Sequence, residues 1–216
     1  MFVLALGVFL FSYLVRFATI VPGPPQAMPI AIDVVLFSIF ALHHSVFARE
    51  RVRDWVGRHV PPGLERSFYV WLASLLLIAV VSWWQPTGGT AWSASGWAWW
   101  ALHALQIWGV WLTLRSAALI DVFDLAGVRQ TASVDPIEFK TTGPYGWVRH
   151  PIYSGWFLLV FGVGTMTGTR LTFAVVSSLY VLIAIPFEER SLLATTGGAY
   201  NRYVNQVKWK LVPGIY

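Results

Sequence analysis

Two polar clusters stand out in a chain otherwise dominated by apolar residues. The first runs Gly143-Pro144-Tyr145-Gly146-Trp147-Val148-Arg149-His150-Pro151-Ile152-Tyr153. Its prolines fix the backbone on either side of Arg149 and His150, and Pro151 suits the first turn of a following helix. The two side chains then lie near a helix N-terminus, where the dipole favours an anion such as a carboxylate or phosphate. An ordinary basic flank at a membrane surface accounts for the same residues. The second cluster is Glu188-Glu189-Arg190. At the C-terminal end of an apolar helix, two adjacent carboxylates meet an unfavourable dipole and need a cation, from Arg190 or from the amine of a ligand. Taken by itself, the pair reads as a plain solvated helix end.

The elements that must position these clusters follow from composition. Of the 216 residues, 56% are hydrophobic and 12% charged, against about 25% charged in soluble domains. The expected fold class is all-α, an integral membrane helical bundle of about six transmembrane helices. The spans are Phe2 to Ile20, Pro29 to Phe47, Ser67 to Trp84, Trp97 to about Leu119, Ile152 to Thr167 and Leu171 to Phe187. The N-terminal run has no basic n-region and no small-residue cleavage site, so it reads as a retained first span. Thirteen of the fifteen Lys and Arg residues fall on one side of this arrangement. The positive-inside rule makes that side cytoplasmic, with both termini there. The net charge of +5 thus meets anionic lipid, and no nucleic acid partner is implied. The absence of cysteine excludes disulfides, thiolate metal sites and a cysteine nucleophile. Trp83, Trp84, Trp92, Trp97, Trp99 and Trp100 gather around one outer loop, as in an interfacial aromatic belt. The alternative for these tryptophans is a cation cage. Residues 1–120 form an N-terminal bundle of four spans. Residues 121–216 form a second region, with a helical hairpin and a cytosolic tail.

The fifth and sixth spans are separated only by Gly168, Thr169 and Arg170, so they are expected to form a tight antiparallel hairpin. That brings Arg149 and His150 across from Glu188 and Glu189 on the cytoplasmic face. One side of such a site suits an α-carboxylate, the other an α-amine or ribose hydroxyls. The combination matches a zwitterionic cofactor that carries an amino acid.

The order Gly143-Pro144-Tyr145, Arg149-His150-Pro151-x-Tyr153, Glu188-Glu189-x-x-Leu192, Tyr200-x-x-Tyr203 and Val212-Pro213 resembles the isoprenylcysteine carboxyl methyltransferase and phospholipid methyltransferase families. The resemblance covers Lys140 to Pro213. It implies a region that wraps S-adenosylmethionine between hairpin and tail. By position, Tyr145, Arg149, His150, Tyr153, Glu188, Glu189, Tyr200 and Tyr203 become the cofactor-binding candidates. The families usually carry Phe-Gly-x-x-Tyr where this chain has Gly197-Gly198-Ala199-Tyr200. His43-His44-Ser45-Val46-Phe47-Ala48-Arg49, Pro61-Pro62-Gly63-Leu64-Glu65-Arg66-Ser67-x-Tyr69 and Asp121-x-Phe123-Asp124-Leu125-x-Gly127-x-Arg129-Gln130 are similar to the bacterial branch of methanethiol S-methyltransferases and NnrU-like membrane proteins. That branch implies a bacterial inner membrane.

The remaining polar residues carry alternatives. Adjacent His43 and His44 point to different helix faces and cannot chelate one ion together, and no metal site is expected. Asp33 lies inside the second span, where an acid is a functional-site candidate, unless it sits at the outer interface. Arg16 could snorkel outward. The expected activity is methyl transfer to a small thiol or lipophilic acceptor, an in-line displacement from which water is excluded. A thiol needs a cation to stabilise its thiolate, or a His to take its proton. Arg149, His150, His44 and Arg129 are the catalytic candidates, and the acceptor is expected to arrive from the bilayer between the fourth and fifth spans. Two other functions compete. One is a nicotinamide-dependent membrane reductase of related fold, disfavoured because Glu188 and Glu189 would repel cofactor phosphates. The other is a non-catalytic, NnrU-like accessory protein.

Overall fold

The computed structural model describes residues 1–47, 50–61, 64–120, 139–196 and 198–216. Helix α1 (Phe2–Phe11) passes into a π-helical turn at Ser12–Arg16. There follow α2 (Ala27–Phe47), α3 (Glu50–Gly57), α4 (Glu65–Trp83), β1 (Thr90–Ser93), α5 (Gly96–Ile120) and a 3-10 turn at Gly143–Gly146. The chain continues through α6 (Pro151–Phe161), β2 (Thr165–Thr167), α7 (Gly168–Thr196) and α8 (Gly198–Gln206). Two compact units result. Among the described residues, one holds Met1–Ala94 and Thr165–Ser177, the other 95–120, 139–164 and 178–216.

Helices α2, α4 and α7 are long and apolar enough to cross a bilayer. Their apolar side chains are not consumed by a protein core. The apolar stretch of α2 has a mean hydropathy of 1.9, yet 17% of it is buried. Met28, Ile39, Leu42, Trp71 and Ile183 are each more than half exposed. Long apolar helices exposed to this extent are stable where hydrocarbon is the solvent, and the protein is an integral membrane protein. Helix α5 has 25 residues, but its tryptophans, His103 and Gln106 dilute its hydropathy.

In the first unit Phe173 is fully buried. Its ring meets those of Phe9 at 5.7 Å, Tyr13 at 5.6 Å, Phe17 at 5.7 Å, Phe37 at 6.0 Å and Trp84 at 5.1 Å. The loops beside this aromatic core are joined by backbone. Strands β1 and β2 pair antiparallel, and Gly168 N donates to Gly89 O at 2.8 Å. Gly88 permits the close approach, since a Cβ there would lie 2.6 Å from Pro24 O. The two strands depart from the expected all-α fold.

Three polar side chains that span prediction leaves unexplained have structural partners here. Arg170, 6% exposed, donates from Nε to Tyr13 O at 3.1 Å, from Nη1 to Thr165 O at 2.8 Å and from Nη2 to Leu14 O at 2.8 Å. Two of these carbonyls, of Tyr13 and Leu14, belong to the last turn of the first helical stretch, where intrahelical donors run out, and the third belongs to β2. Arg16 serves the end of α4 in the same way, donating to Val81 O at 3.1 Å and Ser82 O at 3.3 Å. Arg16 and Arg170 are the two basic residues left off the cytoplasmic side by the sequence pattern. Asp33, fully buried, accepts the Gln85 N–H at 2.8 Å and pins the chain as it leaves α4.

In the second unit α5 and α6 meet backbone to backbone. A Cβ on Gly109 would lie 2.6 Å from Gly155 O, and one on Gly162 would lie 2.8 Å from Gln106 N. Gln106 Nε2 donates to Leu159 O at 3.0 Å across the same seam. Small residues and an interhelical hydrogen bond are how membrane helices associate where lipid provides no hydrophobic drive. This contact closes the gap between α5 and α6 along that stretch, where the sequence suggested acceptor access.

Boundaries also differ from expectation. The first helical stretch ends at Arg16, not Ile20. The fifth span ends at Phe161, not Thr167, because Gly162 closes α6 and Thr165–Thr167 pair with β1. Helix α7 continues through Pro186 to Thr196, so Glu188 and Glu189 lie inside a helix rather than at its end.

Arg170→Met is expected to leave three carbonyls without their donor and to cost about 3 kcal/mol or more. Arg170→Lys recovers only part, because one ammonium lacks the guanidinium's planar fork. Denaturant unfolding in detergent measures both.

Candidate functional site

The site lies in the second unit and starts from backbone. Pro151 opens α6 with His150 as the preceding residue, and His150, at φ −123° and ψ 62°, lies outside the helical region. Arg149 N donates to Trp209 O at 2.8 Å and His150 N to Lys210 O at 2.9 Å. Ser154 Oγ, one turn into α6, donates to Leu211 O at 2.7 Å. The tail is thereby laid along the start of α6.

Arg149, 9% exposed, joins that tail to α7. Its Nε donates to Glu189 Oε1 at 2.8 Å, and Nη1 donates to Val207 O at 3.0 Å and Lys208 O at 2.7 Å. Nε and Nη1 of the guanidinium thus both serve protein partners. His150, 6% exposed, places Nε2 at 3.2 Å from Glu189 Oε1 and Nδ1 at 3.8 Å from Glu188 Oε2. Tyr153 stacks on the His150 ring at 5.5 Å and donates from its hydroxyl to Glu188 Oε2 at 2.9 Å. Lys210 Nζ stands 3.7 Å from Glu189 Oε2. Arg190, the cation that sequence offered for the acidic pair, lies instead over the Phe187 ring at 5.8 Å.

An aromatic group stands behind these charges. Phe139 meets Tyr200 at 5.1 Å and Tyr203 at 5.5 Å. The Tyr203 hydroxyl donates to Tyr145 O at 2.9 Å. Burial pushes the Tyr203 phenol up to about 12, with Arg149 opposing and Glu189 adding to the shift. Burial likewise raises Tyr145, where Tyr203 and Glu188 add to it, and Tyr200, where Glu189 adds to it. All three phenols are therefore neutral hydrogen-bond donors at physiological pH. An apolar floor completes the site, built of Val181, Ile185 and Leu211 with Tyr153, Trp156 and Phe157 packed against them.

The structure thus brings together Tyr145, Arg149, His150, Tyr153, Glu188, Glu189, Tyr200 and Tyr203. His44 belongs to the other unit, where its Nδ1 lies 2.9 Å from the Tyr69 hydroxyl. Arg129 and the acidic stretch around it lie outside the described residues. Sequence reasoning missed Lys210 and Ser154. Lys210 was visible only as one more charge in the tail, and its alternation with Lys208 beside Val212-Pro213 was the available signal.

The family profile described as phospholipid methyltransferase matches residues 97–196. A methanethiol S-methyltransferase of Crocosphaera subtropica is 41% identical over 85% of this chain and 74% of its own. Methanethiol S-methyltransferase 2 of Bradyrhizobium diazoefficiens is 35% identical over 100% and 85%. A methanethiol S-methyltransferase of Mycobacterium tuberculosis is 36% identical over 87% and 80%.

Arg149→Lys keeps the charge and loses the fork that reaches Glu189 and two carbonyls at once. Loss of one charge-assisted hydrogen bond, about 1.5–3 kcal/mol, corresponds to about tenfold or more in local opening. Amide exchange followed by mass spectrometry should accelerate accordingly at residues 149–150 and 207–211, with the α5–α6 seam unchanged.

Proposed function

This chain belongs to the methanethiol S-methyltransferase family and is a membrane methyltransferase, and from that premise we propose that it methylates a small thiol, methanethiol first, at the cluster around Glu189 with S-adenosylmethionine as donor. The relatives' activity disfavours the reductase and accessory readings. The observation that carries the proposal is the ring of charges at the start of α6. It joins two carboxylates, an imidazole, an ammonium and a phenol within hydrogen-bond or ion-pair reach of one another.

The residues fit such a donor. Glu189 Oε2 stands 3.7 Å from Lys210 Nζ and suits an amine or ribose hydroxyls as an acceptor, with Glu188 beside it. Lys210 suits the donor's carboxylate. The aromatic group of Tyr145, Tyr200 and Tyr203 suits its base. When bound, the donor supplies an electrophilic methyl group on a sulfonium. Arg149 is a positioning residue in this reading, because its Nε and Nη1 donors join Glu189 to the tail. The thiol must lose its proton. With His150 Nε2 donating to Glu189, Nδ1 is free to take it. His44 beside Tyr69 is the second candidate for that task, and Arg129 the second candidate cation. The apolar floor of Val181, Ile185 and Leu211 excludes water from the reacting sulfur.

We further propose six crossings, with both termini cytoplasmic in a bacterial inner membrane. Helix α6 is short, 11 residues or about 16 Å, against a hydrocarbon core of about 30 Å. The non-helical residues 162–167, which include β2, add at most about 20 Å and complete the crossing and the return into α7. Val163, Met166 and Thr167 are fully buried, the condition under which non-helical backbone is tolerated at membrane depth. Residues 121–216 then form the donor-binding half and residues 1–120 the supporting bundle.

Glu189→Ala and His150→Ala are expected to abolish donor binding in calorimetry while membrane insertion is retained. Purified protein given labelled S-adenosylmethionine and a panel of thiols, prenylcysteines and phospholipids should label the small thiols. Transfer to phospholipid alone, or binding of NADPH in place of S-adenosylmethionine, would reverse the assignment.

A further inference from the structure

We propose that Glu188 is a specificity-determining residue, which makes the site prefer the charged methyl donor to the neutral product that remains after transfer. The inference rests on the S-adenosylmethionine reading given above and goes beyond it, because the two adjacent carboxylates are not equivalent. Glu189 is compensated inside the protein by Arg149 at 2.8 Å and Lys210 at 3.7 Å, with the His150 imidazole in hydrogen-bond contact at 3.2 Å. Glu188 has a 43% exposed side chain, the Tyr153 hydroxyl at 2.9 Å and His150 Nδ1 at 3.8 Å. Among the described residues no Lys or Arg stands within ion-pair reach of it. The neighbouring Arg190 is turned over Phe187. Its charge is therefore uncompensated by a fixed cation and faces whatever occupies the site.

The chemistry makes that charge consequential. The electron pair of the thiolate sulfur forms the new carbon–sulfur bond, and the pair of the old methyl–sulfur bond leaves with the donor's sulfur. The thiol proton goes to His150. The sulfonium thereby becomes a neutral thioether, and the bound molecule falls from net charge +1 to zero. Base, ribose, amine and carboxylate are common to donor and product. Shape and hydrogen bonding consequently distinguish them poorly, whereas a fixed negative charge distinguishes them by Coulomb attraction alone. A half-solvated carboxylate supplies about tenfold of such discrimination, so the product is held less tightly than the donor that replaces it. Tyr153 holds the Glu188 carboxylate in place, so the selectivity is built by a neutral hydrogen bond that does not spend its charge.

The test is equilibrium binding of S-adenosylmethionine and of S-adenosylhomocysteine to purified protein in detergent, for the wild type, Glu188→Gln and Glu188→Asp. Gln keeps an oxygen for the Tyr153 hydroxyl and removes the charge. It should weaken donor binding about tenfold and product binding about twofold or less, so that the donor-to-product ratio collapses. Asp keeps the charge and should keep the ratio, whatever it does to both affinities. Equal losses for the two ligands in Glu188→Gln, or loss of the ratio in Glu188→Asp as complete as in Gln, would overturn the charge role and leave the donor site standing. Unchanged affinity for both ligands in both variants and in Glu189→Ala would overturn the site itself.

Discussion

The Arg149 guanidinium, shared between Glu189 and the carbonyls of Val207 and Lys208, is the interaction on which the second unit depends. Helix α6, helix α7 and the tail also share an apolar floor and the hydrogen bonds of Tyr153 and Ser154, and this one planar cation, two residues before Pro151, bonds to α7 and the tail at once. Both partners of the ion pair are largely buried, at 7% and 14% side-chain exposure. Removing either would strand the other, a loss of about 3–5 kcal/mol in comparable buried pairs. The backbone bonds from Arg149 and His150 to Trp209 and Lys210 then fix the register of the tail. The tail in turn delivers Lys210 to the free side of Glu189. The geometry of the site follows from that order of constraints, with chemistry added last.

The same rule governs the first unit, with different partners. In a medium that offers no water, each carbonyl at a helix end must find a donor within the protein. Arg16 and Arg170 are those donors, and neither needs a carboxylate. This accounts for the two cations on the side that the positive-inside pattern leaves empty. It also accounts for Asp33, which accepts an amide at a chain turn. A buried ionisable residue in a membrane segment is a reasonable functional candidate. Here its geometry assigns a structural task.

Much of this was legible in the sequence, and the reasons are specific. Hydropathy located α2, α4, α5 and the body of α7 because long apolar runs have one stable form in a bilayer. The polar site residues were legible because prolines and glycines bracket Arg149 and His150 and because two carboxylates end an apolar run. What escaped were features set by tertiary partners. The β1–β2 pairing shortens α6, and the Thr165-Met166-Thr167 segment reads from hydropathy as helix. Helix α7 runs on past Pro186, since the Arg149 contact rewards continuing it to Glu189. Lys210 matters only because the tail is laid against α6. Gly109 and Gly155 looked like ordinary span residues, yet they bring two backbones together along the seam where the sequence suggested a route for the acceptor.

The position of the charges along α7 bears on how two unlike substrates meet. Ile185 belongs to an apolar floor with Val181, Leu211, Tyr153, Trp156 and Phe157, and Glu188 begins the polar wall one turn later. Under the proposed reaction, a small thiol dissolves in hydrocarbon and a charged donor does not. Each reaches the boundary between Ile185 and Glu188 from its own phase. Such a boundary needs no gate between helices, because partition already concentrates each reactant on its own side. It requires that the polar wall stay charged and the floor stay dry. The first condition is met by carboxylates whose hydrogen bonds and ion pairs are supplied by Arg149, His150, Tyr153 and Lys210. The second is met by side chains that α6 and α7 bring face to face within one unit. A single cation holding α7 and the tail thus also sets where lipid ends and chemistry begins.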